Sequence, residues 1–364
     1  MMKETLGFGI IGCGNISGTH AAAISELPDA KLISVCDILP EKAKKLADQY
    51  HCSYDTSIES LLNRKDIDVI CVCTPSGMHA RHGILAARAG KHVIVEKPIE
   101  VSLAAANALI TTCHQEGVVL SVISQHRFDD DIVKLKEAIQ KGKLGQLNFG
   151  GSHTKWFRSQ KYYDSGDWRG TWELDGGGAL MNQSIHYIDL LQYIMGPVEE
   201  VFAYCTTRAH TNIEVEDIGV ATVRFASGAV GIIEGNTAAF PGYYARLDIY
   251  GSDGSVVIIN DKIQNWNLKC EGVTEADFGN IQAEDTYSNS GAIKGWASTP
   301  GVWHTSHLRQ IADVVAAIKG GTSPKITGEE GLKPLSIILA IYASARTGKP
   351  VTLHSPSGNS RQSS

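Results

Sequence analysis

The sequence predicts a doubly wound parallel α/β domain at the amino end, followed by an α+β domain with a large, mostly antiparallel open sheet. Three observations carry this. Between Phe8 and Ser121, short apolar runs alternate with helical stretches. Beyond Ser124 the pattern shifts to longer strand-like runs separated by Gly, Ser and Asp turns. The 364 residues suffice for about two domains of ordinary size.

The elements follow in order. Phe8 to Ile11 is an apolar strand that ends at Gly12-Cys13-Gly14-Asn15-Ile16-Ser17-Gly18. A helix follows from roughly Ile16 to Glu26, then a strand from Lys31 to Cys36 closed by Asp37, and a helix opening at Pro40. Ser57 to Asn63 reads as a short helix, and Asp68 to Cys73 as a buried strand. Thr74 to His79 is a turn opening the helix Ala80 to Ala89; His92 to Val95 is a strand, Ala104 to Glu116 a helix and Val118 to Ser121 a strand. Near-continuous apolar strands between helices mark a parallel sheet covered on both faces.

Phe128 to Gln140 reads as a helix, with Asp129, Asp130 and Asp131 suited to its positive end. Strand-like runs then span Gln146 to Phe157, Val198 to Arg208, Ile218 to Phe225, Ala229 to Thr237, Ala245 to Tyr250 and Ser255 to Asn260. Ala226-Ser227-Gly228 and Gly251-Ser252-Asp253-Gly254 are hairpin turns between them. Glu271 to Pro300 is polar and reads as a long loop; helices near Ser306 to Lys319 and Glu329 to Thr347 close the chain, with a frayed tail after His354. The expected domains are 1–124 and 125–354, with a tail at 355–364.

The first glycine turn carries chemistry. Gly12 permits the tight bend, Gly14 lets backbone approach a pyrophosphate, and the helix behind Asn15 and Ile16 offers N–H groups and a positive dipole end. This is a dinucleotide site with Ser17, not glycine, at the third position. Asp37, about 25 residues after Gly12, stands where a ribose-binding acid is expected and favours NAD over NADP. Lys42, Lys44 and Lys45 leave NADP possible, and Asp37 as a helix cap is the alternative. Thr74 and Pro75 fall at the same sheet edge; His79 meets the cofactor or bonds backbone at its helix start. Glu96-Lys97-Pro98 follows the His92 to Val95 strand, so Glu96 and Lys97 are expected against the cofactor at the carboxyl edge of the sheet, where open α/β folds bind ligands. Proline cannot continue the ladder and turns the chain there.

A second constellation lies downstream. Asp175-Gly176-Gly177-Gly178 leads into a helix on which Asn182, His186, Asp189 and Tyr193 fall at i, i+4, i+7 and i+11, one polar face of an otherwise apolar element. The alternative is a core histidine satisfied by its Asp. His186 and Asp189 supply two ligands only, so no metal is expected; His304 and His307 flank the start of the Ser306 helix. From Lys155 to Trp172 the chain is dense in aromatics, Arg and Asp, a composition suited to hydroxyl-rich ligands through Tyr163 and Trp168. Arg158 and Arg169 there suit a carboxylate or phosphate. Packing of this segment on the sheet or on a subunit neighbour is the alternative. Arg127, near the domain junction, is expected to line the cleft.

A formal charge of −6 argues against nonspecific binding of nucleic acid or anionic membrane. No apolar run approaches the ~20 residues of a membrane span, and the first residues show no signal-peptide pattern. The eight cysteines are scattered, and several, such as Cys36, Cys71 and Cys73, sit in apolar strands as expected of buried reduced thiols. The resulting expectation is a cytoplasmic protein.

Together Gly12-Cys13-Gly14-Asn15-Ile16 with His20, Asp37, Thr74-Pro75 with His79, Gly90-Lys91-His92-Val93 leading to Glu96-Lys97-Pro98, Gly176-Gly177-Gly178, His186-Tyr187-Ile188-Asp189 and the Ala340 to Ala345 helix resemble the Gfo/Idh/MocA oxidoreductase family of sugar and cyclitol dehydrogenases, from about Phe8 to Leu353. The resemblance implies an NAD(P)-binding Rossmann domain and a second domain whose open sheet forms a homodimer or homotetramer interface. It implies reversible hydride transfer between a ring carbinol and nicotinamide, with His186 as general base, Lys97 on the reacting oxygen, Asp189 orienting His186 or binding a second hydroxyl, and Asn182 contacting substrate. In the family the histidine and lysine roles are also argued the other way. The Trp156 to Trp172 segment looks most like members acting on sugars or nucleotide-sugar uronates. Two alternatives stay open: a glycosidase that retains its NAD, and an NAD(P)-sensing regulator without chemistry.

Overall fold

Six strands build the first sheet: β1 (Leu6–Ile11), β2 (Ala30–Cys36), β3 (Ser53–Asp55), β4 (Val69–Val72), β5 (His92–Val95) and β6 (Leu120–Val122). A computed structural model describes residues 3–274 and 304–353 of the chain. The sheet runs β3-β2-β1-β4-β5-β6, and each adjacent pair is parallel. The order reverses between β1 and β4, and ligands of open α/β sheets bind outside the carboxyl ends of strands at such a point. Helices α1 (Ser17–Glu26), α2 (Pro40–Tyr50), α3 (Ile58–Leu62), α4 (His79–Arg88) and α5 (Leu103–Gln115) connect the strands. Ser57 and Ser102 cap α3 and α5 by accepting from the amides of Ser60 and Ala105, each bond contributing about 1 kcal/mol. β3 was not expected, because Ser53-Tyr54-Asp55 is polar and carries no apolar run. β6 begins two residues later than the apolar run Val118 to Ser121 suggests and extends into Val122, with the Ser121 hydroxyl donating to Ile326 O.

The remaining elements are α6 (Asp130–Gln140), β7 (Leu147–Lys155), α7 (Gln160–Tyr163), α8 (Ile185–Met195), β8 (Val198–Thr206), β9 (Ile218–Phe225), β10 (Val230–Asn236), β11 (Ala245–Gly251), β12 (Gly254–Ile259), β13 (Lys262–Leu268), α9 (His304–Gly320), α10 (Gly328–Thr347) and β14 (Val351–Thr352). The eight-stranded sheet runs β13-β12-β11-β7-β10-β9-β8-β14 and is antiparallel except for the β7–β10 pair. Its two outermost strands, β13 and β14, were not expected; β13 mixes polar and apolar residues without clean alternation, and β14 has two residues. The loop expected at Glu271 to Pro300 falls largely on residues outside those described, as does the tail after His354.

β9 alternates buried Ala221, Val223 and Phe225 with exposed Val220, Thr222 and Arg224, so this sheet has one covered and one open face. The helical stretch Ala179 to Met195 lies on the covered face. A Cβ at Gly219 would stand 2.5 Å from Leu180 Cδ1, and one at Gly235 2.5 Å from Ser184 Oγ. The paired glycines of β9 and β10 therefore let the helical stretch rest on bare backbone.

The chain forms two compact units that differ from the expected contiguous domains. The first comprises the described parts of Met1–Phe128, Gly166–Gly177 and Lys294–Leu335; the second comprises those of Asp129–Ser165, Gly178–Ile293 and Ser336–Ser364. The reason lies in α9: Ile311, Val314 and Val315 join the buried cluster of Phe8, Ile10, Ile24 and Val35, so this late helix completes the core of the first sheet. Ile311→Ala is expected to destabilise the first unit by about 2–5 kcal/mol, read as a lower urea midpoint of that unit; an unchanged midpoint would count against α9 as a core element.

Candidate active site

In the first unit the carboxyl ends of β1, β2, β4 and β5 carry the expected cofactor residues. Gly12 adopts φ +94°, and a Cβ there would lie 2.7 Å from Cys73 O, so no other residue suits the turn. Gly14 has no protein atom within 4 Å of where a Cβ would stand. Its glycine is not required by the chain's own packing, which fits a position kept open for a phosphate. Asn15 and Ile16 lead into α1, and Ser17 Oγ donates to Gly14 O at 2.6 Å, closing the turn. Asp37 does not cap α2. Its Oδ2 accepts from Cys13 N at 2.8 Å and its Oδ1 from Leu39 N at 2.9 Å, so the carboxylate braces the glycine turn. Each oxygen keeps a further lone pair for a ribose hydroxyl. Ile38 beside it is 85 % exposed, an apolar side chain that the sequence reading passed over.

Thr74 and Pro75 lie at the end of β4. His79 bonds backbone, as the second of its two expected roles requires: its ring nitrogens lie 2.7 Å from Pro98 O and 2.9 Å from Thr74 O. Burial pushes its pKa down. Glu96 is buried, its Oε1 2.8 Å from His20 Nε2 and 3.5 Å from His307 Nε2, while its Oε2 accepts from Lys97 N at 3.1 Å. The carboxylate expected against the cofactor is thus turned inward and fixes the backbone of Lys97. Burial alone would raise its pKa, but His20 and His307 outweigh burial and hold the carboxyl well below the usual range. His307, expected to flank a helix start, sits one turn inside α9 within this cluster. Arg127, expected to line the cleft, is buried and donates to Glu330 Oε2 at 2.8 Å. In the Gly166–Gly177 segment the Arg169 guanidinium lies 4.4 Å above the Trp168 ring, a cation–π contact.

The second unit carries the His/Asp constellation. Ala179–Ser184 winds as a π-helix, and the α-helical period begins only at Ile185. The wider π turn means that Asn182 and His186 do not stack at the α spacing the sequence suggested. His186 and Asp189 both lie on α8 and are buried. Tyr187, adjacent, donates to Asp261 Oδ1 at 2.8 Å, which pins α8 to the β12–β13 turn. Arg158 Nη2 donates to Gln183 Oε1 at 2.7 Å, and its guanidinium lies 4.9 Å over the Tyr162 ring. Gln183 Nε2 donates on to Tyr162 Oη and Asn182 Oδ1. Gln183 therefore ties the aromatic segment to the helix, a role masked in the sequence by its lying between two residues of the expected face. Tyr163 is buried with its hydroxyl 2.9 Å from Thr237 Oγ1, so its ring is part of the scaffold.

A glycine-turn nucleotide unit and a second unit bearing His186 and Asp189 on one helix are the two parts expected of a nicotinamide-dependent oxidoreductase. A family model described as "Oxidoreductase family, NAD-binding Rossmann fold" matches residues 6–124, and "GFO/IDH/MocA C-terminal domain" matches residues 132–257. The WlbA dehydrogenase of Bordetella pertussis, solved with NADH and UDP-GlcNAcA, is 33 % identical, with 97 % of this chain and 99 % of that one covered and a TM-score of 0.85. The oxidoreductase YrbE of Bacillus subtilis is 29 % identical over 97 % of this chain and 98 % of its own length. The myo-inositol 2-dehydrogenase of Thermotoga maritima is 27 % identical over 95 % and 98 %. The chain belongs to the Gfo/Idh/MocA family and is an NAD-binding oxidoreductase.

Because the Glu96 pKa is depressed in the fold, its stabilisation is fully present above the ordinary carboxylate value of ~4.3 and is lost as pH falls below it. Glu96→Gln is expected to cost about 3 kcal/mol at pH 7, the deficit narrowing as pH falls through the depressed folded value, read by urea unfolding repeated at roughly pH 3. A deficit independent of pH would show that the ionised carboxylate is not what stabilises the cluster.

Proposed function

We propose that the chain is a dehydrogenase passing hydride reversibly between nicotinamide and a hydroxyl-bearing ring carbon of a sugar, sugar acid, nucleotide sugar or cyclitol, and that a nucleotide-linked sugar acid is its preferred substrate class. The observation carrying this is that His186 and Asp189 lie together on α8 and are buried; the backbone of Lys97, at the end of β5 in the other unit, is held by Glu96. A bound nicotinamide would supply the acceptor for the hydride leaving the carbinol carbon. His186 takes the hydroxyl proton, since a neutral imidazole carries an acceptor nitrogen suited to general-base work. Lys97 donates a hydrogen bond to that oxygen as negative charge develops on it. Asp189, three residues along α8, orients the imidazole, and Asn182 serves a neighbouring hydroxyl. Gly12, Gly14, Asn15 and Ile16 hold the pyrophosphate. Asp37 holds the adenosine ribose, and its carboxylate disfavours the 2′-phosphate of NADP. Thr74, Pro75 and His79 shape the nicotinamide end. The preference for an acidic, nucleotide-linked sugar is supported by Arg158 and Arg169 among aromatic rings and by the likeness to an enzyme solved with UDP-GlcNAcA.

The open face of the eight-stranded sheet supports a homo-oligomer. Tyr204 and Val220 are cross-strand partners, Val230, Phe149 and Tyr250 pair across three strands in a separate row, and Tyr204 is 72 % exposed. All eight cysteines are free thiols, which supports a cytoplasmic location.

Absorbance at the reduced-nicotinamide band, with NAD and NADP, against sugars, uronates, nucleotide sugars and inositols tests the reading; signal with NAD on nucleotide-linked uronates is expected. Cofactor that stays bound and is never consumed would point to an NAD-retaining glycosidase, and binding without any turnover to a sensor. Lys97→Ala is expected to lower kcat by at least ~100-fold while NADH affinity, read by fluorescence, stays within twofold; near-normal turnover would remove Lys97 from the chemistry. Light scattering is expected to give a dimer or tetramer that Tyr204→Glu with Val220→Glu converts to monomer, and a monomeric wild type would dismiss the sheet interface.

A further inference from the structure

Glu216 and Asp217 stand side by side just before β9, and both side chains are buried. Two adjacent carboxylates out of water are costly unless hydrogen bonds fill them, and each is filled by a different segment of the second unit.

Glu216 grips the opening of the His186 helix. Its Oε2 accepts from Gly178 N at 3.0 Å and its Oε1 from Leu180 N at 2.8 Å, while its backbone oxygen accepts from Ala179 N at 3.1 Å. The first amides of a helix have no partner within it, and here one residue takes three in succession. Tyr342 Oη donates to the same Oε1 at 3.0 Å. The contact is tight as well as polar, since a Cβ at Gly178 would lie 1.8 Å from Glu216 O.

Asp217 grips the Arg158 segment. Its Oδ1 accepts from Arg208 N at 2.9 Å, and its Oδ2 from Ala209 N at 2.7 Å and His210 N at 3.1 Å, with His210 Nδ1 at 2.9 Å. His210 Nε2 then reaches Arg158 O at 2.7 Å. The backbone oxygen of Asp217 accepts from Thr237 N at 2.9 Å. Thr237 returns the connection twice: its carbonyl accepts from Arg158 N at 2.9 Å, and its hydroxyl lies 2.9 Å from Tyr163 Oη.

We infer that Glu216 and Asp217 are paired positioning residues, Glu216 setting the helix that bears Asn182, His186 and Asp189, and Asp217 setting Arg158 and Tyr163 through His210 and Thr237. The inference rests on the dehydrogenase reading above for what the two segments do, and on the hydrogen bonds alone for which carboxylate holds which segment. One dipeptide thereby aligns the proton-transfer helix with the arginine segment, while the two arms remain separable: loss of the first touches chemistry, and loss of the second touches substrate affinity.

Glu216→Gln and Asp217→Asn in the full chain test it, each keeping the shape while replacing one accepting oxygen with an amide nitrogen that cannot accept. Hydrogen–deuterium exchange is expected to rise at least ~10-fold at amides 178–186 in Glu216→Gln and at 158 and 208–210 in Asp217→Asn, each variant leaving the other segment protected. On the best substrate, Glu216→Gln is expected to lower kcat about 10-fold at nearly constant KM. Asp217→Asn is expected to raise KM by a similar factor with kcat within about threefold, and NADH affinity is expected to hold in both. Tyr342→Phe removes one bond to Glu216 and is expected to show a smaller effect in the same direction, which keeps the test open if Glu216→Gln does not fold. Exchange that rises everywhere in both variants, or at neither segment, overturns the inference. A wild type that turns over no sugar in the panel overturns the dehydrogenase reading, and exchange still decides which segment each carboxylate holds.

Discussion

A carboxylate taken out of water must be surrounded by donors, or it costs several kcal/mol in unmet hydrogen bonding. Three such groups organise this molecule. Glu96 is filled by His20, His307 and the amide of Lys97, Glu216 by the start of the π-helical turn and Tyr342, and Asp217 by the 208–210 backbone and His210. Each demand draws together segments far apart in sequence. The residues proposed for chemistry, Lys97 and His186, are set into backbone that two of these carboxylates, Glu96 and Glu216, hold. Fixed backbone suits catalysis, because groups already aimed at developing charge need no reorganisation as the reaction proceeds.

The two units solve the positioning problem differently. In the first, parallel strands end at one edge and their following turns present Gly12, Asp37, Thr74 and Lys97 in successive loops, so placement follows from topology. In the second, the antiparallel sheet acts as a floor. Gly219 and Gly235 remove side chains where the helical stretch lies, and Tyr187 pins it from the far side through Asp261. The π-helical turn at Ala179–Ser184 then offsets Asn182 from His186, so the two project at different angles than a uniform α-helix would give.

Much of this was legible in the sequence. The glycine turn, the acid after β2 and the buried strands announce themselves through backbone requirements that few residues meet, as φ +94° at Gly12 illustrates. The strands Ile218–Phe225 and His92–Val95 matched their apolar patterns to the residue. What stayed hidden depends on partners distant in the chain. No local pattern says that Glu96 turns inward, because the signal is His307, contributed by a helix near the other end. Arg127 reads as a ligand arginine until Glu330 is seen beside it. The π-helical turn was invisible to a 3.6-residue period, and β13 and β14 were hidden because edge strands need no clean alternation.

The late helix α9 has a consequence for the order in which the protein is made. The amino-terminal sheet emerges first from the ribosome, yet the faces of Phe8, Ile10 and Ile24 wait for Ile311 and Val314, and the Glu96 carboxylate waits for His307. Nearly the whole chain must be synthesised before the nucleotide unit can close its core. At elongation rates of about 5–20 residues per second, that leaves an apolar surface uncovered for many seconds, a window in which a chaperone or the next ribosome's product on the same message competes with the chain's own helix.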